Sequence, residues 1–265
     1  MNSTANRVSV LKRIVPAPLR NVLRPYWNRI ASSPSEGDRR AQEIAAVGPA
    51  QRWEGLQQDE LDFWDNALAS VRTNPQKPLQ DHLRKLIDAA PGSRVEILDV
   101  GAGPLTYLGK KWPEHELRIT ALDPNAAEYD RLLAKHYIEP PCRTILGYVE
   151  DLASVVPMSF FDLVHARNCI DHSKDPLKAI REMVRAAKPG CCVYLNHWIS
   201  EGRRNKYSGP HQWNLFHRDG RFLVDRPGMP PVDVGAETVK GIADVTVAPS
   251  PDGTEWFAVT IRRRA

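Results

Sequence analysis

The chain has 265 residues and a mass of 29.8 kDa, enough for one large α/β domain with appendages. With 42% hydrophobic and 26% charged residues it has the composition of a globular protein, and no apolar run reaches the roughly 18 residues that cross a membrane. The net charge of +4 argues against a uniformly basic nucleic-acid binder: residues 1–30 carry Arg7, Lys12, Arg13, Arg20, Arg24 and Arg29 with no acid, so the rest of the chain sums to −2.

In chain order, the opening MNSTANRVSVLKRIVPAPLR lacks a continuous apolar stretch and a small-residue cleavage site, so it does not read as a secretory signal. The cations of this arm alternate with Leu11, Ile14, Leu19, Tyr26 and Trp27. Two readings stand for it. It packs on its own domain or on a sister subunit of a homodimer, or it touches anionic lipid at the inner membrane face or nucleic acid; the first is the simpler. Residues 31–50 are small and polar and read as a linker, completing a basic N-terminal arm over 1–50.

Residues 51–91 read as a helical cap. RWEGLQQDELDFWDNALASV (52–71) is an aromatic-rich helix over the mouth of the next domain, and QKPLQDHLRKLIDAA (76–90) is a second amphipathic helix ending at Pro91-Gly92. From residue 92 strands and helices alternate. The predicted strands are RVEILDV (94–100), LRITALD (117–123), RTILGYV (143–149), FFDLVHARN (160–168) and CCVYLNHWI (191–199), with helices over 125–138 and 175–188. A polar, aromatic insertion without clear helix follows at 201–230. The chain closes on DVTVAPS and TEWFAVTIRR, joined by a turn at Pro251-Asp252-Gly253. The fold class is α/β: a doubly wound, mostly parallel seven-stranded sheet with a C-terminal antiparallel hairpin and N-terminal helices. The four cysteines (Cys142, Cys169, Cys191, Cys192) show no metal-type spacing, which points to a reducing, cytoplasmic compartment.

The loop after the first strand, DVGAGPLT, lies at the carboxyl end of the sheet, where open α/β folds bind ligands. Gly101 and Gly103 allow a sharp turn, and Asp123 follows Gly103 by 20 positions, where a carboxylate can accept from both ribose hydroxyls of an adenosine. Thr106 stands where a dinucleotide fingerprint has its third glycine. Asp99 and Asp123 beside the loop disfavour a pyrophosphate and suit a cationic amino-acid moiety. S-adenosylmethionine fits better than NAD.

The strings VEILDVGAGP, ITALDPNA, YVEDL and FDLVHARNCIDHSKDPLKAI, in that order, resemble class I S-adenosylmethionine-dependent methyltransferases over about residues 92–200, and the final hairpin fits that family's reversed last strand. The resemblance implies a Rossmann-like methyltransferase domain over 92–265 with S-adenosylmethionine as cofactor. It implies cofactor contacts from Asp99, Gly101, Ala102 and Gly103, from Asp123 and Pro124 at the ribose, and from Glu150, Asp151 and Leu152 at the adenine. Asn168 and Cys169 would lie against the methionyl group.

Methyl transfer to a hydroxyl needs an aligned acceptor and a group that takes its proton. The loops after the fourth and fifth strands offer His172 as general base, assisted by Asp171 or His197. NCID after the fourth strand disfavours the amino-group methylases, which carry Asn/Asp-Pro-Pro-aromatic there, and the one Pro-Cys, at Cys142, is misplaced for cytosine methylation. Asp171, His172 and Asp175 lack a diagnostic metal spacing, so no metal is expected. In YSGPHQWNLF, Tyr207, His211 and Trp213 read as substrate-binding, with Arg203, Arg204 and Gln212 available for hydroxyls or phosphate. The aromatic helix, CIDHSKDPLKAI and GPHQWNLF together resemble a bacterial subgroup of the family associated with surface-polysaccharide biosynthesis. The expected activity is O-methylation of a carbohydrate or lipid-linked glycan hydroxyl. The alternatives are a quinone or secondary-metabolite methyltransferase, an RNA methyltransferase, which the −2 outside the arm disfavours, and a non-catalytic cofactor-binding subunit, which the intact glycine loop disfavours.

Overall fold

The structure, a computed structural model, describes residues 35–54, 56–68, 71–249 and 254–265. The basic arm over 1–30 and the turn at Pro251-Asp252-Gly253 lie outside the described residues. Ten strands are described: β1 (Arg94–Val100), β2 (Glu116–Asp123), β3 (Thr144–Leu146), β4 (Phe161–Arg167), β5 (Ala187–Trp198), β6 (Asn214–Arg218), β7 (Arg221–Arg226), β8 (Met229–Asp233), β9 (Ala243–Pro249) and β10 (Trp256–Arg263). Seven of them form one sheet in the order β3-β2-β1-β4-β5-β10-β9, and β6-β7-β8 form a second, antiparallel sheet.

Near-continuous apolar runs make β1 and β4 central strands: Val95, Ile97, Leu98, Leu163, Val164 and Ala166 are buried, as parallel strands covered on both faces require. β1 pairs in parallel with β2 and with β4, whereas β10 runs antiparallel to β5 and to β9. The expected seven strands and reversed hairpin are therefore present. Strand order reverses between β1 and β4, so a crevice opens beyond their carboxyl ends. One face packs Phe161, Leu195, Phe257 and Ile261 with Phe222 and Val224 of the small sheet, and the other packs Ile97 and Leu163 against Leu79, Leu83 and Ile87.

Helices start where their caps dictate. α1 (Glu36–Ala46) has Ser35 and Asp38 in a reciprocal capping box, which satisfies two otherwise free backbone N–H groups. α2 (Pro49–Glu54) and α3 (Gln57–Ala67) follow, then the single turn α4 (Asp81–Arg84) and α5 (Ala126–Lys135). α6 (Pro176–Ala186) begins at Asp175, whose carboxylate accepts from Leu177 and Lys178 N–H with Pro176 in the first turn, and it buries Ala179, Ile180, Met183 and Val184. α7 (Glu201–Arg204) closes the series.

Three segments depart from expectation. Residues 36–46 are helical where the sequence suggests a linker, and Arg226 holds the end of α1 by donating to the Ile44 and Val47 carbonyls. The amphipathic stretch 76–90 buries its leucines but is helical for only one turn. Its front is drawn out by the Pro78–Lys111 bridge and the Leu79 N–H bond to Lys111. The insertion at 201–230 contains α7 and most of the small sheet. Asp219-Gly220 turns β6 into β7 with φ of +53° and +73°, the left-handed pair of a two-residue hairpin.

Candidate active site

The crevice is a cavity of about 850 Å³ reached by the ends of β1, β2, β4 and β5 and covered by α3. On the β1 side the chain turns through Gly101 (φ +61°) and Gly103 (φ +65°). A Cβ at Gly101 would lie 2.5 Å from the Cys169 Sγ, and one at Gly103 would lie 2.6 Å from the Trp64 ring. Both backbone conformation and space therefore demand glycine.

The two acids predicted here divide their work. Asp99 is buried with both oxygens committed, one to Thr106 Oγ1 at 2.5 Å and one to His165 Nδ1 at 2.6 Å. It holds the loop from beneath, so its predicted cofactor contact is indirect. Asp123 is also buried, and among the described residues its oxygens accept only the Gly103 and Asn125 N–H groups, at 3.1 and 3.0 Å. Burial, with Glu60 and Asp99 nearby, pushes its carboxyl up to about 7 despite those two bonds. Its remaining lone pairs face the cavity, so this carboxylate fits two ribose hydroxyl donors.

α3 lies over this carboxylate. Gln57 Oε1 accepts from Asn125 at 3.0 Å, and Trp64 donates to Glu60 at 2.8 Å while its ring covers Gly103. Ala102, Pro124 and Asn168, expected from sequence to contact the cofactor, line the cavity, and Asn168, at φ +51°, accepts from Trp198 N–H. Cys169 also lines it, donating to the Val100 carbonyl at 3.2 Å. Of the three residues read as adenine contacts, one lines the cavity. Glu150 lines the cavity with Tyr148 and Val149, and it clamps the β4–α6 loop by accepting from Lys174 and Asp175 N–H. Leu152 is instead fully buried in the core and Asp151 is exposed, because a kink at Asp151 (φ −138°, ψ 44°) ends the cavity-facing run.

On the wall of the same cavity lies a charged cluster. Asp171 is fully buried, and its Oδ2 is 2.7 Å from His211 Nδ1 and 3.4 Å from His172 Nε2. His172 Nε2 and His211 Nδ1 are 3.1 Å apart, and His172 Nδ1 faces Glu60 Oε2 at 3.5 Å. Burial alone would raise the Asp171 carboxyl, but the three histidines around it outweigh that and draw it down to about 2. Burial would likewise lower His211, yet its bond to Asp171 leaves it raised. His211 thus stands beside His172 at the cavity wall, bonded to Asp171, rather than apart from the histidine that the sequence singles out.

His197 is 1% exposed, lies 4.0 Å from Asp171 Oδ1 and is held near 4 by burial. It is absent from the cavity lining, and neither of its ring nitrogens has a hydrogen-bond partner among the described residues, so the structure does not place it where the expected catalytic contact would be made. Tyr207 and Trp213 are buried outside the cavity. The Tyr207 hydroxyl accepts from Asn214, and the Trp213 indole donates to the Ser173 carbonyl, which secures the loop carrying His172. Their predicted substrate contacts give way to packing, because the small sheet buries this segment against the main one. Arg203 pairs with Asp225 and Arg204 with Glu255, and the Gln212 amide reaches the Ser173 carbonyl.

Sequence reasoning missed the opposite wall. Arg167 lies between the rings of Tyr107 and Trp256, at 4.2 and 4.6 Å, with Trp198 4.8 Å from Trp256. Glu201, Asn205 and Ser208 add polar groups to the same cavity. Glu60 and Glu201 carried no local pattern that would mark them out.

With this geometry in place, comparison is informative. Residues 98–195 match the methyltransferase domain family. This segment is similar to methyltransferase domains, and it spans the end of β1 to most of β5 in the sheet order described above. The chain is 34% identical over 131 residues to the ubiquinone biosynthesis O-methyltransferases of Xanthomonas campestris pv. campestris strains B100 and 8004, a match covering 46% of this chain and 52% of each relative. It thus spans about half the length of the curated relatives it matches. Among solved structures, an S-adenosylmethionine-dependent methyltransferase from Aquifex aeolicus is 17% identical with a TM-score of 0.43, covering 75% of this chain and 96% of that one. Phosphoethanolamine N-methyltransferase 2 of Haemonchus contortus is 15% identical with a TM-score of 0.45, covering 69% and 51%. At these scores the strand order, rather than the likeness, carries the fold.

Proposed function

We propose that the chain is an S-adenosylmethionine-dependent O-methyltransferase acting on a hydroxyl of a carbohydrate or lipid-linked glycan. The observation that carries this reading is the Asp171–His172–His211 cluster at the wall of the cavity that also holds Asp123 and the glycine loop. Bound S-adenosylmethionine supplies an electrophilic methyl carbon, for which an in-line acceptor is needed. Asp123 and Gly103 hold the sugar end of the cofactor, α3 excludes water above it, and the histidine cluster takes the acceptor's proton, a contribution of about 10²–10⁴-fold in rate. The Trp198–Trp256 pair offers a face for a pyranose ring, while Glu201, Asn205 and Ser208 offer hydrogen bonds to its other hydroxyls. Arg167, with no acceptor among the described residues, suits a phosphate or carboxylate on the acceptor.

A second reading, methylation of a hydroxylated quinone precursor, is favoured by the name of the relatives and by the same aromatic pair. Incubation with S-adenosylmethionine and parallel panels of lipid-linked or free glycans and of hydroxylated aromatic rings, with products read by mass spectrometry, tests both. Methylated glycan supports the first reading. A methylated aromatic ring alone replaces it with the second.

A further inference from the structure

We propose that Asp171, His172 and His211 form a binding site for one divalent transition-metal cation. Asp171 Oδ2, His172 Nε2 and His211 Nδ1 form a triangle with edges of 2.7, 3.1 and 3.4 Å. Ligand atoms about 2.1 Å from one ion stand roughly 3.0–3.4 Å apart, so the triangle needs only small adjustments to hold one. All three atoms belong to groups that ligate metals.

Hydrogen bonding alone accounts poorly for this convergence. His211 Nδ1 faces both Asp171 Oδ2 and His172 Nε2, and its one N–H cannot be aligned on both. A cation at the centre satisfies all three atoms together. Two further observations point the same way. Asp171 Oδ1 and Glu201 Oε2 are buried without a hydrogen-bond partner among the described residues, and Glu201 lines the same cavity as His172 and His211. Glu60 Oε2 stands 3.5 Å from the other ring nitrogen of His172, the place from which a carboxylate orients a metal-bound imidazole.

Two imidazoles and one carboxylate favour the zinc, manganese and iron class over magnesium or calcium, and three protein ligands leave positions open. His172 and His211 line the cavity, so the open positions face the acceptor side. An acceptor hydroxyl bound there loses its proton to water more readily, its oxygen keeping the electron pair, so with the ion bound the metal replaces the two histidines as the group that activates the acceptor. That role rests on the O-methyltransferase reading; the binding of the ion does not.

The test is cobalt(II) titration of chelator-treated full-length protein, followed by visible d–d absorption, with zinc(II) as competitor. The expected result is one saturable cobalt per chain, displaced by zinc, with affinity lowered at least tenfold in His211→Ala and in His172→Gln. S-adenosylmethionine binding by calorimetry checks that the variants are folded, and His136→Ala, at an exposed pair with Asp65, should leave the cobalt spectrum unchanged. Absence of a saturable spectrum in folded protein, or one unaltered by both cluster variants, overturns the proposal. Cobalt binding without glycan methylation would instead leave the site standing and remove the substrate reading.

Discussion

On the cofactor side of the cavity, Gly103 and the Asp123 carboxylate that accepts its N–H lie 20 residues apart, at the ends of adjacent strands. On the side proposed for the acceptor, His172 and His211 are 39 residues apart, and Glu60 reaches His172 from a helix that precedes the sheet. The first half uses backbone geometry that a short motif must encode, because Gly101 and Gly103 adopt positive φ against neighbouring side chains. The second uses side chains brought together by packing, with the segment from Ser208 to His211, which leads into the small sheet, forming part of one wall. Cofactor binding should therefore fail through single backbone or carboxylate changes. Acceptor chemistry should fail through changes that leave cofactor binding intact.

The largest effect is expected on the acceptor side. His211→Ala should lower turnover about 10²–10⁴-fold, as steady-state kinetics with an identified acceptor would show, while S-adenosylmethionine affinity stays within a factor of two. Asp123→Ala should weaken that affinity roughly 10–100-fold by calorimetry, through loss of charge-assisted hydrogen bonds worth about 1.5–3 kcal/mol. Gly103→Ala should lower both affinity and melting temperature, since a Cβ there meets Trp64 at 2.6 Å and the residue sits at φ +65°.

The Asp123 carboxyl, raised to about 7, gives a pH test. Its charged form accepts from the ribose, so cofactor affinity should rise with pH up to about 7 and level off above, by at most about tenfold per unit. In the free protein the sign reverses. Between about pH 4 and 7 the folded carboxyl keeps a proton that the unfolded chain has released, so this group lowers stability as pH rises. Asp123→Asn should remove both trends.

The smallest effect sharpens the boundary between the two regions. Tyr207→Phe removes one hydrogen bond to Asn214, whose amide also donates to Asp225. It should cost about 1 kcal/mol or less in thermal melts and leave the acceptor KM unchanged.

This division also explains what the sequence discloses. The strand VEILDV, the loop GAG and Asp123 are readable because their spacing is set by one strand–turn–helix–strand unit. Of the three residues read as adenine contacts, Glu150 lines the cavity while Leu152 does not, since the kink at Asp151 turns Leu152 into the core. Asp219-Gly220 between alternating apolar residues is a hairpin signal that went unread within a polar segment. The leucines at 79–87 show helical spacing and are buried as expected, but the tertiary bridge at Pro78 overrides the local preference. The Glu60–His172–His211 arrangement has no local pattern at all; only the fold assembles it.

The most direct test of the whole account is calorimetric titration of S-adenosylmethionine into the natural sequence, Asp123→Ala and His211→Ala under one condition. Micromolar binding, weakened at least tenfold by the first substitution and unchanged by the second, is the predicted result. No binding by the natural sequence, or equal losses in both variants, would contradict the division of the cavity into a cofactor half and an acceptor half.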